Sequence, residues 1–349
     1  MSLPEFWFLL IAVLFTGYFV LEGFDFGVGM LMPIIGRGDE QKKRTVLNTI
    51  GPVWDGNEVW LLTGGGAMFA AFPEWYASLF SGFYLALLLI LVGLIARACA
   101  IEWRGKINDP RWRTWCDVGI ALGSWIPALA WGLAFANIVR GVQLNEHKHI
   151  QGTLLDLLNP YGILGGLATL LLFLLHGAVF IALKTGSEVR DDAHRIIRLI
   201  FAPTAVVVAS FGIWTQLAHG KGWTWIPLVL AVVGLVVAGL AAIRGRDGWA
   251  FTGTAVTIAA ATVLLFGSLF PNVLPSTIND AYSLTVDGRG GTVAASSTHY
   301  TLVVMSWVAV ALVPIVLIYQ AWTYWVFRKR LTMEQIPASI GLPMESAKS

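Results

Sequence analysis

Four acidic residues interrupt two strongly apolar stretches of the sequence. Glu22 and Asp25 lie three positions apart in the first stretch, and Asp55 and Glu58 have the same spacing in the second. A separation of three places two side chains on one face of a helix. Carboxyl groups inside an apolar helix are costly and are the first functional candidates in a membrane protein. Four such groups could bind and release protons, so the pattern indicates a relay for protons or other cations.

A structural role is the alternative for each of these acids. A buried carboxylate often only accepts hydrogen bonds from its neighbours, and Trp54, Asn57 and Trp60 surround Asp55 and Glu58 in the sequence. Neither stretch contains a lysine or arginine beside its acids, so no ion pair is expected within either helix. For a single acid the two roles are equally expected, whereas four acids at one depth favour proton passage.

The composition predicts the elements that carry these acids. Of 349 residues, 56% are hydrophobic and 13% are charged, and the mean hydropathy is +0.70. Soluble domains carry about 25% charged residues. Apolar runs of about 20 residues match the hydrocarbon thickness as helices, while the alternating segments of about 10 residues that build a barrel are absent. We therefore predict an all-α polytopic membrane protein.

The apolar runs predict nine transmembrane helices in a single domain, residues 1–330, followed by a cytoplasmic tail, residues 331–349. We expect two four-helix bundles and one peripheral helix. The predicted spans are residues 6–35, 50–71, 77–100, 117–139, 160–183, 198–217, 225–243, 249–270 and 300–327.

Basic residues lie mostly on one side of these spans. Of the 23 lysines and arginines, all but Arg140, Lys148, Lys221 and Arg289 fall in the tail or in loops that follow odd-numbered spans. This assignment places Arg97 in the loop after the third span. Because cytoplasmic loops carry an excess of lysine and arginine, the N-terminus is predicted outside a bacterial inner membrane and the C-terminus in the cytoplasm.

Helical rise places the two acidic pairs at a similar depth. Asp25 follows Phe6 by 19 residues, which is about 28 Å along the helix. Asp55 lies five residues inside the second span, about 8 Å from its cytoplasmic start. A short loop joins the two spans, so they are expected to be neighbours. We expect Glu22, Asp25, Asp55 and Glu58 to form a hydrated relay that opens to the cytoplasm.

The sequence shows no redox or metal centre of its own. Among six histidines only His176 lies within a predicted span, whereas a bis-histidine haem needs two axial ligands at matching depth. We interpret His176 as a polar packing residue. Cys99 and Cys116 flank a loop on the reducing side and are predicted to be free thiols. Without a zinc or iron–sulfur motif or a nucleic-acid-binding tract, the chain is predicted to be a proton-handling subunit of a larger assembly.

Five motifs, spread from end to end of the chain, resemble subunit II of the cytochrome bd quinol oxidases. The resemblance supports Asp25 and Asp55 most directly, because some relatives carry a neutral amide in place of Glu58 and another acid in place of Glu22. The motifs are GFDFGVG at residues 23–29, WDGN at 54–57, FSGFY at 80–84, NP at 159–160, and WVAV at 307–310 followed by Pro314.

The resemblance implies a haem-free subunit beside a partner, subunit I, which holds haems b558, b595 and d and the quinol-oxidising loop. Such a complex oxidises quinol and reduces dioxygen to water without pumping protons, and it takes the consumed protons from the cytoplasm. The carboxylate relay fits that need, with Asp55 as its first candidate. The resemblance also allows a bound quinone and small single-span accessory subunits, besides quinol and membrane lipids.

Two other functions remain open from the sequence. The same acids would suit a stand-alone proton- or cation-coupled transporter, and the chain could also serve as a scaffold that keeps subunit I folded. Co-purification with a haem-bearing polytopic partner would distinguish the oxidase subunit from the transporter. Full activity after replacement of the acids would leave the scaffold.

Overall fold

The computed structural model describes residues 1–337 and residue 341, which form an almost entirely helical protein. Eleven α-helices are joined by short loops, single 3-10 turns and three very short strands. The strands are β1 (Asn272–Leu274), β2 (Leu284–Thr285) and β3 (Val293–Ala294). The helices are α1 (Leu3–Ile35), α2 (Glu40–Asn48), α3 (Trp54–Ala71), α4 (Pro73–Gly82), α5 (Tyr84–Arg104), α6 (Pro110–Arg140), α7 (Pro160–Lys184), α8 (Ser187–His219), α9 (Trp225–Ile243), α10 (Asp247–Leu269) and α11 (His299–Val326).

Eight helices in the described part of the chain are long and apolar enough to cross a membrane. They are α1 and α5 to α11, and they coincide with the first and the third to ninth predicted spans. The predicted span 50–71 forms α3, which is not among the eight. This helix carries two acidic residues, and it also contains Asn57 and a run of three glycines. The third span begins at Tyr84 rather than at residue 77, because the chain breaks its helix at Phe83.

Helix α1 is the central element of the fold. Ser2 and Glu5 form a capping box at its start, and its 33 residues extend about 50 Å. It contacts α3, α6, α7 and α10. A Cβ added at Gly27 would lie 2.2 Å from the carbonyl oxygen of Phe173, and Gly177 of α7 is equally crowded. Small residues therefore allow α1 and α7 to pack backbone against backbone, as in other membrane helix pairs.

The remaining helices form a ring and a peripheral element. Helices α7, α8, α9 and α10 each contact the next, and α10 contacts α7 again. Helix α6 packs against both α5 and α7. Helix α11 contacts only α1 and α3 among its stronger helix–helix pairings in the described chain, and of its own residues only Leu302 is buried.

The described part of the predicted tail packs against the body of the protein. The backbone N–H of Leu331 donates to the carbonyl of Lys184 at 2.8 Å, and the Gln41 side chain donates to the carbonyl of Met333 at 2.7 Å. The rest of the tail, residues 338–340 and 342–349, lies outside the described residues. These contacts attach the end of α11 to α2 and α7.

Candidate proton-transfer site

Two of the predicted acids lie in the interior of the helix bundle. Glu22 and Asp25 of α1 are both 0% exposed, as is Asn57 of α3. The Asn57 side-chain amide donates to Asp25 Oδ2 at 2.7 Å. The structure thus brings the predicted first and second spans together at their polar residues, with Asn57 as a direct partner of Asp25.

Arg97 is a central member of this group, and its predicted placement in a loop was wrong. It lies within α5 with 0% exposure, and its Nη2 donates to Glu22 Oε1 and, at 2.7 Å, to Glu58 Oε1. The guanidinium carbon lies 4.6 Å from the centroid of the Phe26 ring. The acids therefore do have a cationic partner, which comes from a different helix. The signal in the sequence was a single arginine within the long apolar run that starts at Tyr84.

The charges of the group do not balance when every member is ionised. Arg97 can compensate one of the two fully buried carboxylates, and its contact is with Glu22. Asp25 has no cation within ion-pair distance among the described residues, and its Oδ1 has no hydrogen-bond partner there. An unpaired buried charge is strongly unfavourable. Asp25 is therefore the member of the group best placed to bind a proton, at Oδ1.

Helix α11 fixes the orientation of the Asn57 amide. Tyr324 donates its hydroxyl to Asn57 Oδ1 at 2.7 Å, and the Gln320 amide approaches the same oxygen at 3.4 Å. The predicted supporting residue Trp60 donates to Gln320 Oε1 at 2.8 Å. With its oxygen occupied in this way, Asn57 must point its NH₂ group at Asp25. Sequence reasoning missed Gln320 and Tyr324, which lie more than 260 positions from Asn57.

Asp55 lies apart from the other three acids. It is exposed in the first turn of α3, where its carboxylate accepts from the backbone N–H of Gly56 at 2.8 Å. Trp54, the other predicted supporting residue, is buried beside it at 8% exposure. Glu58 follows one turn later with 23% side-chain exposure. Three of the four predicted acids therefore meet, while Asp55 stands at the exposed beginning of the same helix.

Ion pairs fasten α2, which follows α1, to neighbouring helices. Arg104 of α5 binds Glu40 through two hydrogen bonds, at 2.7 and 2.9 Å, and donates to Asp117 of α6 at 2.6 Å. Lys42 contacts Asp192 of α8 at 2.9 Å. Hydrogen bonds to Asp192 and Glu188 raise the pKa of Lys42 above its ordinary value. The segment between α1 and α3 is thus anchored to α5 and α8.

The candidate metal and haem ligands are engaged in packing. His176 donates from Nε2 to the carbonyl of Val20 at 3.0 Å, and its Nδ1 lies 2.7 Å from the Thr254 hydroxyl. Cys99 is exposed, Cys116 is buried, and both are free thiols. Among the described residues, no three His, Cys, Asp or Glu side chains are arranged to hold a metal ion. The hydrogen bonds of His176 are those expected of a polar packing residue.

Comparisons with known proteins give one consistent result. A family model described as cytochrome bd terminal oxidase subunit II matches residues 3–327. The chain is 41% identical over 339 residues to cytochrome bd ubiquinol oxidase subunit 2 of Bacillus subtilis (strain 168), covering 96% of this chain and 98% of the relative. It is 35% identical over 368 residues to cytochrome bd-I ubiquinol oxidase subunit 2 of Escherichia coli (strain K12), covering 95% of each.

A solved structure shares the fold. The bd oxidase from Geobacillus thermodenitrificans contains a chain that matches with a TM-score of 0.74 and 18% sequence identity. The match covers 94% of this chain and 100% of the other. At that identity the likeness concerns the arrangement of helices alone.

Proposed function

The chain belongs to the cytochrome bd terminal oxidase subunit II family, and on this premise we propose that its buried acids conduct protons toward the oxygen-reducing centre of the complex. Its relatives are subunits of quinol oxidases, which are oxidoreductase complexes of the respiratory chain. A subunit of this family works with a partner, subunit I.

We propose nine membrane spans, with α3 as the ninth beside the eight more apolar helices, in a bacterial inner membrane. The N-terminus lies outside and the C-terminus in the cytoplasm, because the basic loops then face the cytoplasm. Helices α7 to α10 form one four-helix group and α1, α3, α5 and α6 the other, while α11 is peripheral. The basic face, with α2 and the described part of the tail, is the cytoplasmic side.

The observation that carries the proton route is the stepwise burial of the four acids. Asp55 is exposed on the basic face, Glu58 is 23% exposed one turn further along α3, and Glu22 and Asp25 are fully buried. Residues three apart on a helix are neighbours, and Arg97 contacts both Glu58 and Glu22. A proton taken up at Asp55 therefore passes to Glu58, then to Glu22 and Asp25.

Each buried residue has a distinct part in this route. Asp25 holds the proton at its Oδ1, which has no hydrogen-bond partner among the described residues. No cation lies within ion-pair distance there to stabilise the ionised carboxylate instead. Arg97 holds Glu22 and Glu58 in place through its contacts with both carboxylates, and it prevents their mutual repulsion from opening the site. Asn57 holds the Asp25 carboxylate through Oδ2, which leaves the other oxygen available.

Among the described residues, the candidate ligand His176 does not suit a haem, because both of its ring nitrogens are hydrogen-bonded within the protein. We therefore propose that haems b558, b595 and d are held by subunit I, where they transfer electrons from quinol to dioxygen. A bound quinone and a single-span accessory subunit remain proposals from the family resemblance.

Replacement of the acids tests the route. Asp25→Asn and Asp55→Asn should each lower quinol-supported oxygen uptake of the purified complex by about a hundredfold or more, the contribution of a positioned proton-transfer group. Glu102→Gln, an exposed acid of α5, is the matched control and should retain the parental rate. Full activity of both asparagine variants over a wide pH range would refute the route.

The ion pair with Arg97 favours an additional structural role for Glu22. Glu22→Gln leaves a fully buried guanidinium with one partner fewer, so it should reduce the yield of assembled complex. Asp25→Asn should instead preserve assembly, measured by the haem absorbance per complex, and reduce the rate. Equal yields and equal rates in the two variants would show that Glu22 has no special role in assembly and Asp25 no special role in turnover.

A further inference from the structure

An apolar groove runs along the helices on the side of the bundle formed by α6 to α10. Its volume is 360 Å³. Leu228 near the beginning of α9 and Ile243 at its end both line it, and these positions are about 22 Å apart by helical rise. The lining residues Val232 and Val236 are about half exposed. The cavity is therefore long and narrow, and it opens sideways between α8 and α9. We call it the α8–α9 groove.

The lining of the α8–α9 groove offers no free polar group. Thr169 donates its hydroxyl to the carbonyl of Ala128 at 2.7 Å, and Thr262 donates to the carbonyl of Ile258 at 2.9 Å. The indole N–H of Trp131 donates to the Tyr18 hydroxyl at 3.1 Å. Every other lining residue is apolar or glycine. Since apolar cavities exclude water and take apolar ligands, the matching occupant is a hydrocarbon chain.

One end of the groove is flanked by two arginines. Phe201 and Ile243 line this end. Arg198 lies one turn before Phe201, Arg244 follows Ile243 directly, and both are exposed. The nearby Asp247 is already bound by two other arginines and by the His194 ring, and neither Arg198 nor Arg244 forms an ion pair within the described chain. The groove thus ends between two uncompensated positive charges.

We propose that the α8–α9 groove binds one acyl chain of an anionic phospholipid whose phosphate group lies between Arg198 and Arg244. The groove has the length and polarity of a lipid tail, and basic pockets at the end of membrane helices attract phosphate head groups. A guanidinium is well suited to a phosphate because it can donate two parallel hydrogen bonds. The lipid would fill the gap between α8 and α9 and support the four-helix ring.

Lipid titration of the purified complex tests the charged end of the site. Native mass spectrometry in detergent would count bound phosphatidylglycerol and bound phosphatidylcholine at rising lipid concentration. The complex should bind phosphatidylglycerol more tightly, and Arg198→Gln and Arg244→Gln should each weaken this binding about fivefold. Arg37→Gln is the control, since Arg37 is exposed on the same face and does not flank the groove. Unchanged binding in both groove variants, or equal binding of the two lipids, would refute the proposal.

A second variant tests the apolar part independently. Ala209 lines the groove, so Ala209→Phe places a ring in the acyl-chain path and should abolish retention of the lipid. Val206 lies on the same helix at 65% exposure outside the lining, and Val206→Phe should retain the lipid. Retention of phosphatidylglycerol by Ala209→Phe at the parental level would overturn the proposal. So would recovery of a quinone, and not a phospholipid, as the molecule displaced by Ala209→Phe.

Discussion

Replacement of Arg97 by methionine is the sharpest perturbation of the buried group. The substitution keeps an unbranched apolar stem as far as the position of Nε, while it removes the guanidinium that lies over the Phe26 ring. It removes the cation that contacts Glu22 and Glu58. Glu22 is 0% exposed, so the loss of Arg97 leaves its carboxylate buried without a cationic partner. We therefore expect Arg97→Met to destabilise the assembled complex severely.

The size of the effect follows from the burial of the pair. Two unit charges 4 Å apart interact by about 4 kcal/mol at the effective dielectric of protein sites. Removal of one partner of a buried ion pair destabilises proteins by about 3–5 kcal/mol, because the other charge is left without compensation. Glu58 contributes less to this loss, since its side chain is 23% exposed and water can solvate it.

The assay is thermal dissociation of the purified complex, followed by size-exclusion chromatography and by loss of haem absorbance. Arg97→Met should dissociate at a clearly lower temperature and give less assembled complex. Arg111→Met is the matched control, because Arg111 is exposed at the start of α6. Surface substitutions of this kind usually change stability by no more than about 0.5 kcal/mol.

The double variant Glu22→Gln/Arg97→Met distinguishes the ion pair from simple packing. It removes both charges, so it should recover a large part of the stability that Arg97→Met loses. A double variant that is less stable than the parent by the sum of the two single effects would show that the two side chains act independently. An Arg97→Met complex as stable as the parent would refute the buried ion pair altogether.

Three further substitutions test other contacts. Tyr324→Phe removes a donor to Asn57 and lets its amide rotate, so quinol-supported oxygen uptake should fall by up to about fivefold, the worth of one neutral hydrogen bond. Gly27→Ala forces α1 away from α7 and should lower the stability of the complex by about 1–3 kcal/mol, measured by thermal dissociation. Asp247→Asn weakens the contact with Arg330, so the tail should become more sensitive to limited trypsin digestion.

Each of these substitutions has a control on the same or a similar element. Tyr319→Phe changes a tyrosine of α11 that is 64% exposed and should leave oxygen uptake unchanged. Gly65→Ala adds a methyl group where no atom lies within 4 Å and should not lower the dissociation temperature. Asp191→Asn alters an exposed acid of α8 and should leave the tail as protected as before. If a control variant loses as much activity, stability or protection as the variant it is matched to, the corresponding contact is not the cause of the loss.

The apolar segments were predictable from the sequence because hydropathy is a local property. Helices α6, α7, α9, α10 and α11 match their predicted spans, and their ends differ by two residues or fewer except at the start of α6, which begins seven residues earlier. The break at Phe83 was not predicted, because residues 77–100 were taken as one apolar run in spite of Ser81 and Gly82. The same locality explains why the spacing of Glu22 and Asp25 was informative.

The partners of the acids could not be derived from local sequence. Arg97 was assigned to a loop because the positive-inside rule treats arginines near span ends as loop residues, and only the packing of α5 shows that it lies inside. Gln320 and Tyr324 reach Asn57 through a contact between the second and last predicted spans. No periodicity in the chain encodes that pairing. The exposure of Asp55 likewise depends on which helices surround the beginning of α3.

The most direct test of the proton route is the kinetics of proton uptake in a single turnover. Fully reduced complex would be mixed with dioxygen in the presence of a pH indicator, and proton uptake would be followed together with haem oxidation. In a fully assembled Asp25→Asn complex the account predicts that electron transfer begins normally and that proton uptake is slowed at least about tenfold. Proton uptake at the parental rate in that variant would contradict the account.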